Sequence, residues 1–376
     1  MAKPKVAMVA NTDWYLHNFR SSYAKYLDQR GFEVLFVCPP GPYTKSFKEI
    51  GVQWISWDVE RQIAAPWIEL GSIARLANIY REHRPHVVHL HTLKTVLYGS
   101  LASVIAGSPT LVNSIAGRGH VYSSNRPLHR MLRPVLNLLF RIVDRIKAPT
   151  WIFENGDDMH YFEHRRLATR GKVALIESVG VDLDAFKPAP EPEGVPTIFF
   201  AGRMLWSKGV GDLLQIVKEL KRQGVELKCV IAGETDQGNP DSIDRQTLEQ
   251  WKRDSDVSWV GWQQDTSAWY QRCNLFVYPT TYGEGVPTVL LEAAASGRAI
   301  VAANHPGCAA VVEHGANGLL VPPGDVAGFA AAISQLLGDP DLRRKMGAAG
   351  RAIAVKRFSK ESVNRRTAET YNLATV

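Results

Sequence analysis

The most informative part of the sequence is Gly283-Glu284-Gly285-Val286-Pro287-Thr288-Val289-Leu290-Leu291-Glu292-Ala293. A glycine-flanked turn leads into a helix that Pro287 opens, because a proline needs no N–H in the first helical turn. Gly297 is placed to end this helix. The pattern puts free backbone N–H groups beside one carboxylate, Glu284, and places a second, Glu292, more than a turn further along.

This layout suits a ligand that carries both phosphate and sugar. Backbone N–H groups at a helix N-terminus bind phosphate, and carboxylates accept hydrogen bonds from sugar hydroxyls. The stretch therefore predicts a site for a sugar joined to a diphosphate. Taken by spacing alone, the alternative is a surface helix with two solvated glutamates.

Two further motifs frame this stretch. Directly after the apolar run 197–200 comes Ala201-Gly202-Arg203-Met204-Leu205-Trp206-Ser207-Lys208-Gly209, and later comes Asn317-Gly318-Leu319-Leu320-Val321. In this order the three motifs resemble those of retaining glycosyltransferases with the GT-B fold, the large family four with a Glu-x7-Glu signature. The resemblance covers nearly the whole chain. It is nearest to members that add N-acetylgalactosamine to a sugar on undecaprenyl diphosphate.

The resemblance implies roles for the residues of the second half. Arg203 and Lys208 would hold the diphosphate, whose negative charge grows as the donor is cleaved. Glu284 would contact hydroxyls of the donor sugar, and Glu292 the ribose hydroxyls of the nucleoside. The remaining contacts to the donor would come from Gly202, Gly285, Val286, Pro287 and Thr288. The alternative for Arg203 and Lys208 is that they are ordinary loop cations.

The first half contributes His120 to the implied site. Its position matches the family histidine that meets the donor sugar, and Gly119 before it allows a close backbone approach. Arg118 would face the phosphate of the acceptor. The alternative for His120 is a loop or helix-cap histidine.

The first strand-turn, residues 9–15, departs from dinucleotide-binding loops because it lacks Gly-x-Gly. Side chains of Asn11, Asp13 and Trp14 stand where glycines would be. We expect these side chains to touch the acceptor, with Asp13 orienting its hydroxyl.

The fold class expected is α/β, because strand-like runs alternate with helix-like stretches throughout. The predicted strands are 6–10, 33–38, 54–56, 87–90, 110–113, 150–154, 197–201, 227–232, 258–261, 275–279, 299–302 and 318–321, and the first helix is predicted over 18–29. We expect two Rossmann-like, doubly wound parallel-sheet domains facing each other across a cleft. The first spans residues 1–187, and a final helix at about 358–376 crosses back to it. The second, which binds the nucleotide sugar, spans 194–357. The Pro-rich stretch 187–192 is predicted to link them.

Composition agrees with two globular domains: the chain has 376 residues, 45% hydrophobic and 22% charged. No apolar run approaches the roughly 20 residues that span a bilayer, and no signal peptide is evident. The four cysteines are expected to be reduced core residues. Residues 1–190 carry 24 Lys and Arg against 16 Asp and Glu, so this half needs an anionic partner.

Residues 128–146 are predicted to form a basic amphipathic helix. Its apolar stripe comprises Leu128, Met131, Leu132, Val135, Leu138, Leu139, Ile142 and Ile146, and its cations are Arg130, Arg133, Arg141, Arg145 and Lys147. One interpretation places the helix on an anionic membrane surface. The other buries the stripe against the sheet, and the two coexist if the cations face lipid. A loop at 123–133 is a further candidate for lipid contact. We therefore expect a cytoplasmic enzyme, peripheral on the inner face of the cell membrane.

The expected reaction moves an N-acetylhexosamine from a UDP-sugar, with N-acetylgalactosamine preferred, to a polyprenyl-diphosphate-linked sugar. No carboxylate is placed to act as the nucleophile, so the resemblance implies front-face attack. Alternatives are a soluble acceptor such as a sugar phosphate, or a nucleotide-sugar 2-epimerase. A nucleic-acid-binding protein would explain the charge but not the ordered motifs.

No metal or other cofactor is expected. Asp182-Leu183-Asp184 has the letters of a metal-binding motif but matches an interdomain turn of the family. Three histidines, His86, His89 and His91, lie on or beside a strand. Residues 89 and 91 share a face and suit two zinc ligands, yet no third and fourth ligand is evident. We expect these histidines to be structural or to line the cleft. The sequence leaves the oligomeric state open.

Overall fold

The computed structural model describes residues 3–60, 65–107, 109–117, 121–122, 127–254, 257–282 and 285–371. The chain forms two compact units. The first comprises residues 1–179 and 363–376, and the second comprises residues 180–362.

The first unit is built on a parallel sheet of seven strands in the order β3-β2-β1-β4-β5-β6-β7. The strands are β1 Lys5–Val9, β2 Glu33–Cys38, β3 Gln53–Ser56, β4 Val87–His91, β5 Thr110–Ile115, β6 Thr150–Phe153 and β7 Val173–Leu175. Strand β1 pairs with β2 on one side and β4 on the other, so the winding direction reverses between β1 and β4. Ligands of such sheets bind beyond the carboxyl ends of the strands at that reversal.

Helices cover both faces of the first sheet. They are α1 Asp13–Asp28, α2 Thr44–Glu49, α3 Pro66–His83, α4 Leu93–Ala106, α5 Pro127–Lys147 and α6 Gly156–His164. One buried cluster joins the sheet to α3, α4, α5 and α6. A second cluster joins the other face to α1, α2 and the end of the chain, where Val363, Ala368 and Tyr371 are buried. The last helix thus contributes to the core of the first unit.

The second unit has a parallel sheet of six strands in the order β10-β9-β8-β11-β12-β13. Its strands are β8 Thr197–Ala201, β9 Lys228–Ala232, β10 Val257–Trp259, β11 Leu275–Tyr278, β12 Ala299–Ala303 and β13 Gly318–Val321. Its helices are α7 Val210–Arg222, α8 Arg245–Asp254, α9 Ser267–Gln271, α10 Thr288–Ala295, α11 Pro306–Ala309, α12 Val326–Gly338 and α13 Pro340–Ile353. The final helix, α14 Lys360–Glu369, begins here and ends in the first unit. The winding of this sheet reverses between β8 and β11.

The prediction of two doubly wound parallel sheets is confirmed, and every predicted strand is present within about two residues. Strand β7 was not predicted, because three half-buried residues at a sheet edge carry little hydrophobic signal. Helix α1 begins at Asp13, not near residue 18, because the Thr12 hydroxyl caps it by accepting from the N–H of Tyr15. The Pro-rich stretch 187–192 lies inside the second unit, where Arg298 donates to the carbonyl oxygens of Ala189 and Pro190.

Helix α5 presents its apolar stripe to solvent. Exposed side chains on it are Leu128, Met131, Val135, Leu138, Ile142 and Ile146, whereas Asn137, Phe140, Val143 and Asp144 are buried. The interpretation in which the whole stripe packs against the sheet is therefore wrong; of its members, only Leu139 packs on the core. No described helix is long and apolar enough to cross a membrane.

The orientation of α5 agrees with two features of its inward face: Phe140 and Val143 pack in the core, and the carboxylate of Asp144 is buried. It accepts hydrogen bonds from the indole N–H of Trp151 at 3.2 Å, from the N–H and hydroxyl of Thr169 at 2.9 and 2.8 Å, and from the N–H of Arg170 at 3.1 Å. These donors anchor a polar residue on the inward face, so the apolar stripe is turned outward.

We expect Asp144→Ala to lower the free energy of unfolding by roughly 3 kcal/mol, because it leaves several buried donors without an acceptor. Chemical denaturation measures the change. Asp157→Ala, an exposed acid in α6, is the matched control. A change below about 0.5 kcal/mol, the usual range of surface substitutions, would contradict the anchoring role.

Candidate active site

The candidate donor site lies at the carboxyl edge of the second sheet, where the winding reverses between β8 and β11. The loop after β8 carries Gly202, Arg203 and Lys208, and the loop after β11 leads into α10. Because neighbouring parallel strands end at the same edge, both loops are placed where ligands of such sheets bind.

Hydrogen bonds join these two loops. The carbonyl oxygen of Ser207 accepts from the N–H of Thr281 at 2.9 Å and from the hydroxyl of Thr280 at 3.1 Å. The loop 202–209 that carries Arg203 and Lys208, here called the cation loop, is therefore held directly against residues 280–281 of the loop after β11.

The two cations of the first loop differ in environment. Arg203 is 54% exposed in its side chain, and its Nη1 donates to Oδ2 of Asp236 at 2.7 Å. Lys208 is buried, and its Nζ donates to the hydroxyl of Tyr278 at 3.1 Å. An exposed guanidinium retains donors for a planar anion, whereas a buried ammonium acts as a fixed point charge.

Glycine is required beside Lys208. Gly209 has φ +76°, and a Cβ there would overlap the carbonyl group of Pro279. The close approach of the β8 and β11 loops thus needs a residue without a side chain.

Glu292 lies on α10 in a half-buried position. Its Oε2 accepts from the hydroxyl of Tyr270 at 3.0 Å and from that of Thr266 at 3.3 Å. Burial raises the pKa of Glu292 to about 7, although these two hydrogen bonds act in the opposite direction. The carboxyl group therefore changes charge near neutral pH.

Helix α10 ends where predicted, but Pro287 is its N-cap and does not lie in its first turn. Pro287 precedes its first residue in extended conformation, and Gly297 lies beyond its end with φ +69°. Val286 and Pro287 are buried, while Gly285 and Thr288 are half-buried. In the first turn, the N–H of Leu290 donates to the carbonyl oxygen of Pro287 at 3.1 Å. The N–H groups of Thr288 and Val289 lie at the helix N-terminus, where no acceptor within the helix can reach them, so they are placed to bind an anion.

The motif 317–321 is structural. The buried side chain of Asn317 donates to the carbonyl oxygen of Val311 at 2.9 Å and accepts from the N–H of Glu313 at 2.7 Å. It closes the turn that precedes β13.

In the first unit, Asn11 and Thr92 meet at the reversal between β1 and β4. The hydroxyl of Thr92 donates to Oδ1 of Asn11 at 3.3 Å. Thr92 has φ 72° and ψ 146°, which is strained for a β-branched residue and is typical of ligand-binding turns.

Asp13 is buried and bonded to backbone. Its two carboxylate oxygens accept from the N–H groups of Trp14 at 2.8 Å and Tyr43 at 2.7 Å. The structure thus shows Asp13 joining the loops after β1 and β2, while Trp14 beside it is 47% exposed.

Four predicted site residues lie outside the described residues: Arg118, Gly119, His120 and Glu284. So do residues 123–126 of the loop proposed to reach lipid. Nothing in the structure bears on these predictions.

The histidines of β4 belong to the core. The ring nitrogens of His89 are hydrogen-bonded to the hydroxyls of Tyr371 at 2.8 Å and Ser114 at 2.7 Å. His91 is buried beside it, and burial lowers the pKa of both rings well below the usual value.

Asp182 accepts from the N–H groups of Asp184 and Ala185, as in a turn. The described residues contain no group of three or more side chains arranged to hold a metal ion.

Four residues that contact the site were not predicted from the sequence. They are Thr266, Tyr270, Asp236 and Asp241, which contact Glu292, Arg203 or Ser207. Each lies more than 20 positions from its partner, and no local spacing signals such a contact.

Two protein-family models match the chain. The model described as "Glycosyl transferases group 1" matches residues 195–339, and the model described as "Glycosyl transferase 4-like" matches residues 5–150. Each match falls within one of the two units.

Curated relatives cover nearly the whole chain. The N,N'-diacetylbacillosaminyl-diphospho-undecaprenol alpha-1,3-N-acetylgalactosaminyltransferase of Campylobacter jejuni is 26% identical over 90% of this chain and 91% of its own. The capsular polysaccharide biosynthesis glycosyltransferase CapM of Staphylococcus aureus is 23% identical over 93% of this chain and 92% of its own.

Solved structures share the fold. Anabaena HepE, in complex with UDP and glucose, has a TM-score of 0.79 at 19% identity, covering 98% of this chain and 99% of its own. The sucrose-phosphate synthase of Thermosynechococcus elongatus has a TM-score of 0.76 at 18% identity, with 98% of each chain covered. The two matches together cover well over half of the chain, which therefore belongs to the glycosyltransferases and is a hexosyltransferase with the GT-B fold.

Proposed function

We propose that this enzyme transfers an N-acetylhexosamine, with N-acetylgalactosamine preferred, from a UDP-sugar to a polyprenyl-diphosphate-linked sugar with retention of anomeric configuration. The observation that carries the proposal is the joining of the Arg203–Lys208 loop to the loop that leads into α10. The relative from Campylobacter jejuni, whose name states this donor sugar and acceptor class, supports the choice of substrates.

The donor would lie across these two loops. Arg203 and Lys208 bind its diphosphate, and the N–H groups at the start of α10 bind the distal phosphate. Glu292 accepts hydrogen bonds from the ribose hydroxyls, while Glu284 holds the donor sugar. The complex of HepE with UDP and glucose supports a nucleotide-sugar donor.

The chemistry is front-face attack without a metal ion. The two cations stabilise the departing diphosphate, which takes the proton of the acceptor hydroxyl. The family resemblance assigns His120 to the donor sugar, where it would stabilise the positively charged centre. A product with inverted configuration, detected by NMR, would overturn this mechanism, as would turnover lost with chelator and restored by one cation.

The acceptor is proposed to be a lipid because of α5. Six exposed apolar side chains run along one side of this helix, and the exposed cations Arg130, Arg141 and Arg145 border them. This combination is typical of helices that lie in the interface of an anionic membrane. Each cation contributes on the order of 1 kcal/mol near such a surface. The enzyme would therefore act at the inner face of the cell membrane.

Transfer of radiolabel from UDP-N-acetylgalactosamine to an undecaprenyl-diphosphate-linked diacetylbacillosamine tests the proposal. The enzyme is treated with chelator, and chloroform-soluble label is counted. We expect label in the organic phase, and its loss in the Glu284→Ala variant. Label that passes only to a soluble sugar phosphate, or epimerised donor without transfer, would overturn the assignment.

A pH dependence follows from Glu292. Its raised pKa leaves the carboxyl group protonated below about pH 7 and ionised above it, and only the ionised form is purely an acceptor. We expect UDP affinity to rise by up to roughly tenfold from pH 6 to pH 8 relative to the Glu292→Gln variant. Calorimetric titration of both proteins measures the ratio, in which the titration of UDP itself cancels. A constant ratio would contradict the ribose contact.

A further inference from the structure

Asp236 is a carboxylate that pairs with Arg203 beside the proposed diphosphate site. Its Oδ2 lies 2.7 Å from Nη1 of Arg203 and also accepts from the side-chain amide of Asn239 at 2.9 Å. The Asp236 side chain is only 18% exposed. A mostly buried acid beside an anion-binding site would repel the ligand, so its presence there calls for a function.

The segment that carries Asp236 is fastened to the cation loop. This segment, residues 234–243, connects β9 to α8. The N–H of Met204 donates to the carbonyl oxygen of Glu234 at 3.0 Å, and the N–H of Ile243 donates to that of Met204 at 2.9 Å.

Asp241 adds further hydrogen bonds between this segment and the cation loop. The N–H of Trp206 donates to the carbonyl oxygen of Asp241 at 3.0 Å, and the Asp241 carboxylate accepts from the N–H and hydroxyl of Ser207. The hydroxyl of Ser242 accepts from the N–H of Asp236 at 2.9 Å. Asp236 is thus held rigidly relative to the backbone of Arg203.

The contact with Asp236 limits the conformations of the Arg203 guanidinium. An arginine side chain has many conformations in solution, and its ordering opposes ligand binding. A guanidinium has five N–H donors in a planar fork, and one hydrogen bond to a fixed carboxylate orients the fork while leaving other donors free for phosphate oxygens.

We propose that Asp236 is a positioning residue that orients the guanidinium of Arg203 toward the diphosphate of the donor. The inference rests on the proposed donor site. Asp236 acts through Arg203 and does not itself touch the substrate.

The test is calorimetric titration of UDP into five proteins: wild type, Asp236→Ala, Asp236→Asn, Arg203→Ala and the double Arg203→Ala/Asp236→Ala. If UDP does not bind the wild type, GDP and ADP are titrated, because the pair would contact only the shared diphosphate. Asp244→Ala removes an exposed acid directly after this segment and is the charge-matched control.

We expect Asp236→Ala to weaken binding by about three- to tenfold, even though it removes a negative charge near an anion. Asp236→Asn retains an acceptor at the same place and should stay within about twofold of wild type. In the Arg203→Ala background, Asp236→Ala should not weaken binding further, because Asp236 contributes only through Arg203, and the relief of charge repulsion leaves the affinity equal or higher.

Unchanged or tighter binding in Asp236→Ala would overturn the inference, since charge repulsion alone predicts tighter binding. Independent effects of the two alanine substitutions would overturn it as well. If Asp236→Ala does not fold, Asp236→Glu, which displaces the carboxylate by one methylene, is expected to weaken binding in its place. Normal UDP affinity in Arg203→Ala would instead refute the proposed donor site, which is a separate outcome.

Discussion

Replacing Lys208 by methionine is expected to reduce kcat for sugar transfer by roughly 10²–10³-fold, with a smaller effect on the donor KM. The ammonium group is buried near the proposed diphosphate, with its Nζ 3.1 Å from the Tyr278 hydroxyl. A fixed cation in such a place stabilises charge that grows in the transition state, and removal of one such group typically costs this factor. Methionine preserves the apolar stem, so no large cavity is created.

The measurement is steady-state transfer from UDP-sugar, with circular dichroism to verify the fold. Lys218→Met removes an exposed lysine from α7 of the same unit and should retain full activity. If Lys208→Met turns over at the wild-type rate, the lysine is a structural cation that serves Tyr278, and the diphosphate must be held elsewhere.

Introducing two glutamates into the exposed stripe of α5, as Met131→Glu/Leu138→Glu, is expected to weaken binding to anionic vesicles by more than about 100-fold. Burying one large apolar side chain contributes about 1.5–3 kcal/mol, so two together account for this factor, and the added charges are repelled by the lipid. The two side chains are 75% and 55% exposed, so the substitutions should leave the fold intact.

Co-sedimentation with vesicles containing phosphatidylglycerol gives the bound fraction. Val355→Glu, in the second unit, makes the same change at a position that is 47% exposed and is the matched control. Equal vesicle binding by the double variant and the wild type would show that α5 does not face lipid. UDP affinity should be the same in all three proteins, which separates loss of docking from loss of the donor site.

Local patterns predicted much of this molecule. Buried strands such as Glu33–Cys38 and Thr197–Ala201 are short apolar runs between turn residues, and their positions follow from hydrophobic periodicity within a few residues. The end of α10 at Gly297 follows likewise, because a left-handed backbone favours glycine. The cation loop was recognisable for the same reason, since Gly209 fills a place where no side chain fits.

Other features depend on contacts between distant residues. The direction of the α5 stripe could not be read from its periodicity, which is the same whether the stripe faces the sheet or the solvent. The inward face of α5 carries Asp144, whose carboxylate oxygens accept hydrogen bonds from Trp151, Thr169 and Arg170, and this leaves the apolar stripe facing solvent. Strand β7 likewise exists because it pairs with β6 at the sheet edge.

The two parallel sheets and the order of the motifs could be predicted from the sequence alone, because they depend on apolar periodicity and on where glycine and proline are tolerated. Only the tertiary structure decided that α5 exposes its apolar side, that Tyr270 and Thr266 bond Glu292, and that Asp236 pairs with Arg203. Such contacts join residues from separate strands and loops, and their free energies depend on burial and direction, which arise only when the chain has folded.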